Sequence, residues 1–257
     1  MPRAALVPEA AADTRLDLLG VPVDRCTRQQ ALEHCARALR GELPAQQLVT
    51  LNPEMVMQAR RRPELARAIR SAGLVLADGA GVSWASRRLG APVPERIPGV
   101  DFLVDLAELS SQEGGGCFML GAAPGVAEEA ARRVQGQRPE VVVRGTLPGS
   151  PREAEAPEIC QRVRASGAAL LVVAFGVPAQ DLWLERHLGE SGARLGIGVG
   201  GSLDYLAGRV PRAPELMRRL GLEWLFRLFR QPWRLPRMLR GAPFFWLTLQ
   251  AARGRRA

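Results

Sequence analysis

The apolar run Leu74-Val75-Leu76-Ala77 ends on one carboxylate, Asp78, with Gly79 and Gly81 just beyond it and Arg96 eighteen residues on. An acid at the tip of such a run, beside residues without side chains, is open to approach. It suits proton chemistry on an arriving group, or capping of the helix that follows. Other apolar runs end the same way. "VTLNPE" delivers Thr50, Asn52 and Glu54, and "FMLGAAPG" ends in a glycine turn holding Gly121 and Gly125, whose amides can face a phosphate. "VVAFGVPAQ" ends in Gly176 and Gln180, and "IGVGGSLD" in Gly200, Gly201 and Asp204. Any one of these is an ordinary turn or cap; five together describe a site.

Several chemistries lack their signatures. There is no DxD pair to hold a divalent ion on a diphosphate and no GK[ST] phosphate loop, and the glycine turn at 121–125 is not GxGxxG. An oxidoreductase on a dinucleotide-binding sheet is therefore unsupported. Cys26, Cys35, Cys117 and Cys160 form no CxxC pair, and His34 and His187 stand far apart, so neither a metal nor a cofactor is expected. Buried, reduced thiols are the simpler reading.

The elements that must position these groups alternate. Strand-like runs at 47–52, 74–78, 117–121, 141–145, 169–176 and 195–201 are separated by helix-like stretches such as "TRQQALEHCARALRG", where Thr27 and Gln30 have the spacing of a capping box. Continuous rather than alternating hydrophobicity means burial on both faces. The expected fold is α/β: a Rossmann-like, mostly parallel sheet flanked by helices, with a helical C-terminal appendage. In such sheets the ligand crevice lies beyond the carboxyl ends of the strands, where the polar groups above collect.

The chain of 257 residues divides into a loose leader (1–14), an α/β catalytic domain (15–210) and a basic, aromatic-rich, membrane-associating appendage (211–257). The leader has no apolar core of a signal peptide, and no uncharged run reaches the roughly 18 residues of a membrane span. Net charge is +9, and from Arg209 onward twelve arginines face two acids, Glu215 and Glu223. The tail thus carries +10 and the remainder −1. Trp224, Phe226, Phe229, Trp233, Phe244, Phe245 and Trp246 lie among those arginines, the mixture of an interfacial helix. The strand-bearing part precedes Pro211, so it is expected to fold without the tail.

Taken together, "TLNPEMV", "LADGAGV", "PERIPGVDF", "LGAAPGVAEEAA", "FGVPAQDLW", "GVGGSLDYLAG", "RAPELMRRLGLEWLFRL" and "QPWRLPR" resemble the WecG/TagA/CpsF family of bacterial glycosyltransferases (family 26), in order, from about residue 15 to 240. The resemblance implies inverting, metal-independent transfer from a UDP-sugar donor. The sugar is N-acetylmannosamine or its uronic acid, and the acceptor a polyprenyl-diphosphate-linked GlcNAc at the inner face of the plasma membrane. It implies that Asp78 is the catalytic base, that Arg96 and Gln180 belong to the catalytic set, and that Thr50 and Asn52 line the pocket. Asp204 then lies near the nucleotide, while Arg227, Arg234 and Arg237 close over the site and hold diphosphate. One departure stands out: the family's usual Lys before the Gln is Ala179 here.

The tail by itself also permits a second class, a non-catalytic basic Rossmann-like module binding anionic lipid or nucleic acid. Its aromatics sit in apolar company with a single Tyr, which does not make a base-stacking platform, so no nucleic-acid partner is expected.

Overall fold

The computed structural model describes residues 15–219, 221–232 and 235–254. The leader read at 1–14 and Arg234 lie outside the described residues, as does the side chain of Arg237.

Strands β3 (Gln46–Leu51), β4 (Leu74–Ala77), β5 (Cys117–Gly121), β6 (Val143–Leu147), β7 (Leu170–Ala174) and β8 (Leu195–Gly198) form one sheet in the order β4-β3-β8-β7-β5-β6. Every pairing in it is parallel. Successive residues of a strand face opposite sides. Leu74 and Leu76 enter one core with Met119, Val172 and Ile197, while Val75 and Ala77 enter a second with Val49 and Leu51. Both faces are therefore covered, which is why these strands are apolar without alternation. Helices α1 (Arg28–Leu39), α5 (Gly99–Gln112) and α6 (Val126–Gln137) cover the first face. α2 (Pro53–Ala59), α3 (Pro63–Ser71), α4 (Ala80–Arg88), α7 (Ala156–Ser166) and α8 (Ala179–Ser191) cover the other. The expected box at the start of α1 is present: Gln30 N donates to Thr27 Oγ1 and Thr27 N to Gln30 Oε1.

An element absent from the sequence reading covers one edge of the sheet. β1 (Arg15–Leu18) and β2 (Val21–Asp24) form an antiparallel hairpin through Leu19-Gly20. At edge strand β4, Val75 N donates to Asp24 Oδ2 at 2.7 Å, and Ala77 O accepts from Ile97 N at 3.1 Å. The buried Asp24 is also ion-paired with Arg15, Nε to Oδ1 at 3.0 Å. Asp24→Ala leaves Val75 N without its acceptor and Arg15 without this carboxylate. The expected loss is about 2–3 kcal/mol of stability, seen as a lower midpoint in urea with an unchanged slope.

After β8 come α9 (Ser202–Leu206), α10 (Glu215–Arg219), α11 (Glu223–Arg230), α12 (Leu235–Leu239) and α13 (Pro243–Gly254). α13 returns to the body and packs on α2 and α4. Phe244 is fully buried in the second core, and Phe245 lies 5.3 Å from Trp84, ring to ring. Phe244 is thus a core residue rather than an interfacial one. A chain cut before Pro211 loses it, and the hole costs about 3–5 kcal/mol, the usual penalty for deleting a buried Phe. No helix among the described residues is long and apolar enough to cross a membrane.

Candidate active site

A cavity of about 550 Å³ opens at the carboxyl ends of β3, β4, β7 and β8. It brings together Thr50, Asn52, Asp78, Arg96, Gln180, Gly201 and Asp204 from the body with Arg227 from α11. This is where the strand order reverses, since β3 leads outward to β4 while β5 leads outward to β6 on the far side.

Asp78 sits just past β4, with its backbone N bonded to Leu51 O at 2.9 Å. It does not cap α4: the N-cap is Gly79, and no side chain caps that helix. Gly79 has φ +83°, and a Cβ there would meet nothing within 4 Å, so it supplies both the turn and open space beside the acid. Gly81 has a different reason: a Cβ would lie 2.5 Å from Pro53 Cγ, so its bareness lets α4 pack on α2. Burial pushes Asp78 up to about 6. The Gly99 N–H bonded to it and the Arg96 charge act against that rise, while Glu223 and Asp101 add to it. Gly99 is wedged between Asp78 and Thr50, where a Cβ would sit 3.2 Å from Thr50 Oγ1.

Asn52 caps α2, its Oδ1 accepting from Met55 N at 3.0 Å, and lines the cavity as well. Gln180 is buried, and its Oε1 accepts from both Gly176 N (3.0 Å) and Gly200 N (2.9 Å). It ties the loop after β7 to the loop after β8, which makes it a positioning residue in this geometry. Those two amides are occupied by Gln180 and are not spare phosphate donors.

The glycine turn after β5 is built for packing. Gly121 and Gly125 lie outside the cavity lining, where Ala122 stands instead. A Cβ on Gly121 would come within 2.8 Å of the Phe175 ring, and Gly125 begins α6 in the left-handed conformation.

Several lining residues were not singled out as site residues from sequence. Asp181, in the first turn of α8, is buried, lines the cavity and has an Oδ2 with no hydrogen-bond partner. Burial pushes it up to about 7. Arg212 donates to both oxygens of Asp101, at 2.5 and 3.2 Å, and its Nε lies 3.8 Å from Glu223 Oε1. Tyr205 receives the Arg227 guanidinium over its ring at 4.8 Å. Gly221, in the turn before α11, fits against Ala80, where a Cβ would come within 2.7 Å. Arg212 and Gly221 hold α11 at the cavity, so that Glu223 and Arg227, four residues apart on one helical face, both line it. A signal for Glu223 was available, since it is one of just two acids among the tail's twelve arginines.

The arrangement can deprotonate a nucleophile at Asp78 and neutralise an anion with Arg96 and Arg227. Known proteins are similar to this chain in sequence. An N-acetylglucosaminyldiphosphoundecaprenol N-acetyl-beta-D-mannosaminyltransferase of Bacillus spizizenii is 33% identical over 192 residues, covering 75% of this chain and 74% of that protein. A Staphylococcus aureus protein of the same name is 29% identical over 251 residues, 96% of each chain. The model of the Glycosyl transferase WecG/TagA/CpsF family matches residues 16–257, and with the α/β sheet and its strand-end cavity in place, the chain belongs to that family of glycosyltransferases.

Proposed function

We propose that this chain moves N-acetylmannosamine, or its uronic acid, from a UDP-sugar to a polyprenyl-diphosphate-linked GlcNAc, by a single inverting displacement and without a metal ion. The observation that carries the reading is Asp78, an acid poised near 6 at the end of β4, facing a cavity with Arg96 and Arg227 in its walls. Relatives named for that acceptor and that sugar support it.

In the proposed step an acceptor hydroxyl attacks the anomeric carbon and gives its proton to Asp78. The bond from that carbon to the UDP oxygen breaks, and UDP leaves with the electron pair. Charge grows on the diphosphate as it departs, and fixed guanidiniums stabilise it at that moment. Arg227, held over Tyr205, fits this role; Arg234 and Arg237 are proposed to join it. Thr50, Asn52, Gly201 and Asp204 are assigned to substrate contact. Exposed Trp224, Phe229, Leu235 and Leu239 give the appendage an apolar outer surface beside its arginines. That surface is proposed to rest on the inner face of the plasma membrane, where a lipid-linked acceptor resides.

The test is a panel of UDP-sugars with a short-chain lipid-diphosphate-GlcNAc acceptor in excess EDTA, read by mass, beside sedimentation with anionic vesicles. The expected product is heavier than the acceptor by one N-acetylhexosamine or its uronic acid, with vesicle binding lost in Phe229→Asp. Vesicle binding without transfer from any UDP-sugar would overturn the reading in favour of a binding module.

A further inference from the structure

Away from the cavity, α7 and α8 bring together three side chains that sequence spacing kept apart. Cys160 lies on α7, while His187 and Glu190 lie one turn apart on α8. The Cys160 sulfur, a His187 ring nitrogen and a Glu190 carboxylate oxygen all fall within 4.8 Å of one another. A fourth residue orders the set. Glu153, in the short 3-10 turn leading into α7, places Oε2 3.0 Å from His187 Nε2.

That contact decides which nitrogen is available. A carboxylate at Nε2 holds the proton there and leaves the lone pair on Nδ1. Nδ1 is buried and has no hydrogen-bond partner. The nearest charged oxygen, Glu190 Oε2, is 3.5 Å away and also an acceptor. A lone pair and a carboxylate thus lie beside the thiol, whose S–H donates to His187 O at 3.8 Å, a weak contact that gives way when the sulfur binds an ion as thiolate. A histidine whose second nitrogen is bonded to a carboxylate is the usual outer support of a metal-ligating imidazole.

We propose that Cys160, His187 Nδ1 and Glu190 bind a zinc-like divalent ion, with Glu153 supporting the imidazole and water completing a tetrahedral shell. Sulfur, nitrogen and oxygen donors in this mixture suit zinc, at ligand distances of about 2.0–2.3 Å. The three atoms must draw in by roughly an ångström to reach those distances. Glu190, two-thirds exposed, is free to do so. Binding removes the thiol proton to water and leaves a thiolate on the ion, one proton released per ion.

The ion would clamp α7 to the end of the helix whose first turn carries Gln180 and Asp181. Its role is structural, and it does not depend on the glycosyl-transfer reading. Trp183 supports the clamp from below, with its ring 5.1 Å from that of His187.

The test uses the full chain freed of metal by chelator and titrated with cobalt(II). The expected result is a thiolate-to-cobalt charge-transfer band with visible ligand-field bands, saturating at one ion per chain and displaced by one equivalent of zinc. Zinc should raise Tm by several degrees. Cys160→Ser should lose the charge-transfer band. Glu190→Gln, at an exposed position that leaves packing intact, should weaken cobalt binding at least tenfold. Absence of the band in the unmodified protein would overturn the proposal, as would a band that survives Cys160→Ser, which puts the ion on another thiol. A third overturning result is a Tm that does not respond to zinc.

Discussion

Asp78→Asn should lower turnover by about 10²–10⁴-fold, the range for a lost general base, with UDP affinity nearly unchanged. The substitution keeps shape and removes only the ability to take a proton. In the unmodified enzyme kcat/KM should fall tenfold per pH unit below about 6 and level off above it, because the base works ionised and burial has raised it to about 6. The sign for stability is opposite. The folded chain keeps a proton on Asp78 between pH 3.8, the ordinary value, and about 6, where the unfolded chain has released it. Ionised Asp78 therefore costs stability, and the cost is complete above about 6. Asp78→Asn should be at least as stable as the unmodified protein at pH 8. Inactive and undiminished in Tm is the signature of a catalytic base; inactive and strongly destabilised would make Asp78 a structural residue.

Arg227→Gln should reduce kcat by about 10²–10³-fold, the loss seen when one fixed donor to a developing anion is removed. Its guanidinium is placed rather than tethered loosely: it lies over Tyr205 on a helix held to the body through Arg212 and Gly221. Arg227→Lys should restore little, because an ammonium neither stacks flat on the ring nor donates through a fork. A fall in kcat with KM for the lipid acceptor unchanged assigns Arg227 to the departing diphosphate. A rise in KM alone would move it to acceptor binding.

The sheet was legible because its strands are buried on both sides, so each reads as an uninterrupted apolar run. β6 was read at 141–145 and runs Val143–Leu147; as an edge strand it is half exposed, and its pattern blurs at the ends. The β1–β2 hairpin was missed because each strand is four residues long, one carrying Pro22, and no length-based signal survives. The site was legible where strand ends made it. Thr50, Asn52, Asp78 and Gly201 converge because parallel strands deliver their carboxyl ends to one edge. Gly121 and Gly125 look like a phosphate turn in sequence, but Gly121 serves close packing against Phe175 and Gly125 a left-handed start to α6. Asp181 resembles any acid in a first helical turn, and only burial sets it apart. Arg212 meets Asp101 across 111 residues, and Cys160 is bonded to His187 O across 27; no local period encodes either meeting.

Phe244 changes what kind of cover the cavity has. The segment carrying α10, α11 and α12 is moored at one end by Arg212 on Asp101 and at the other by Phe244 in the core. A strip fixed at both ends cannot swing clear like a terminal flap, so any opening is confined to the stretch between its moorings. An acceptor of the proposed kind, with a long lipid tail, would have to reach the cavity past the side of this strip rather than through a hinged end.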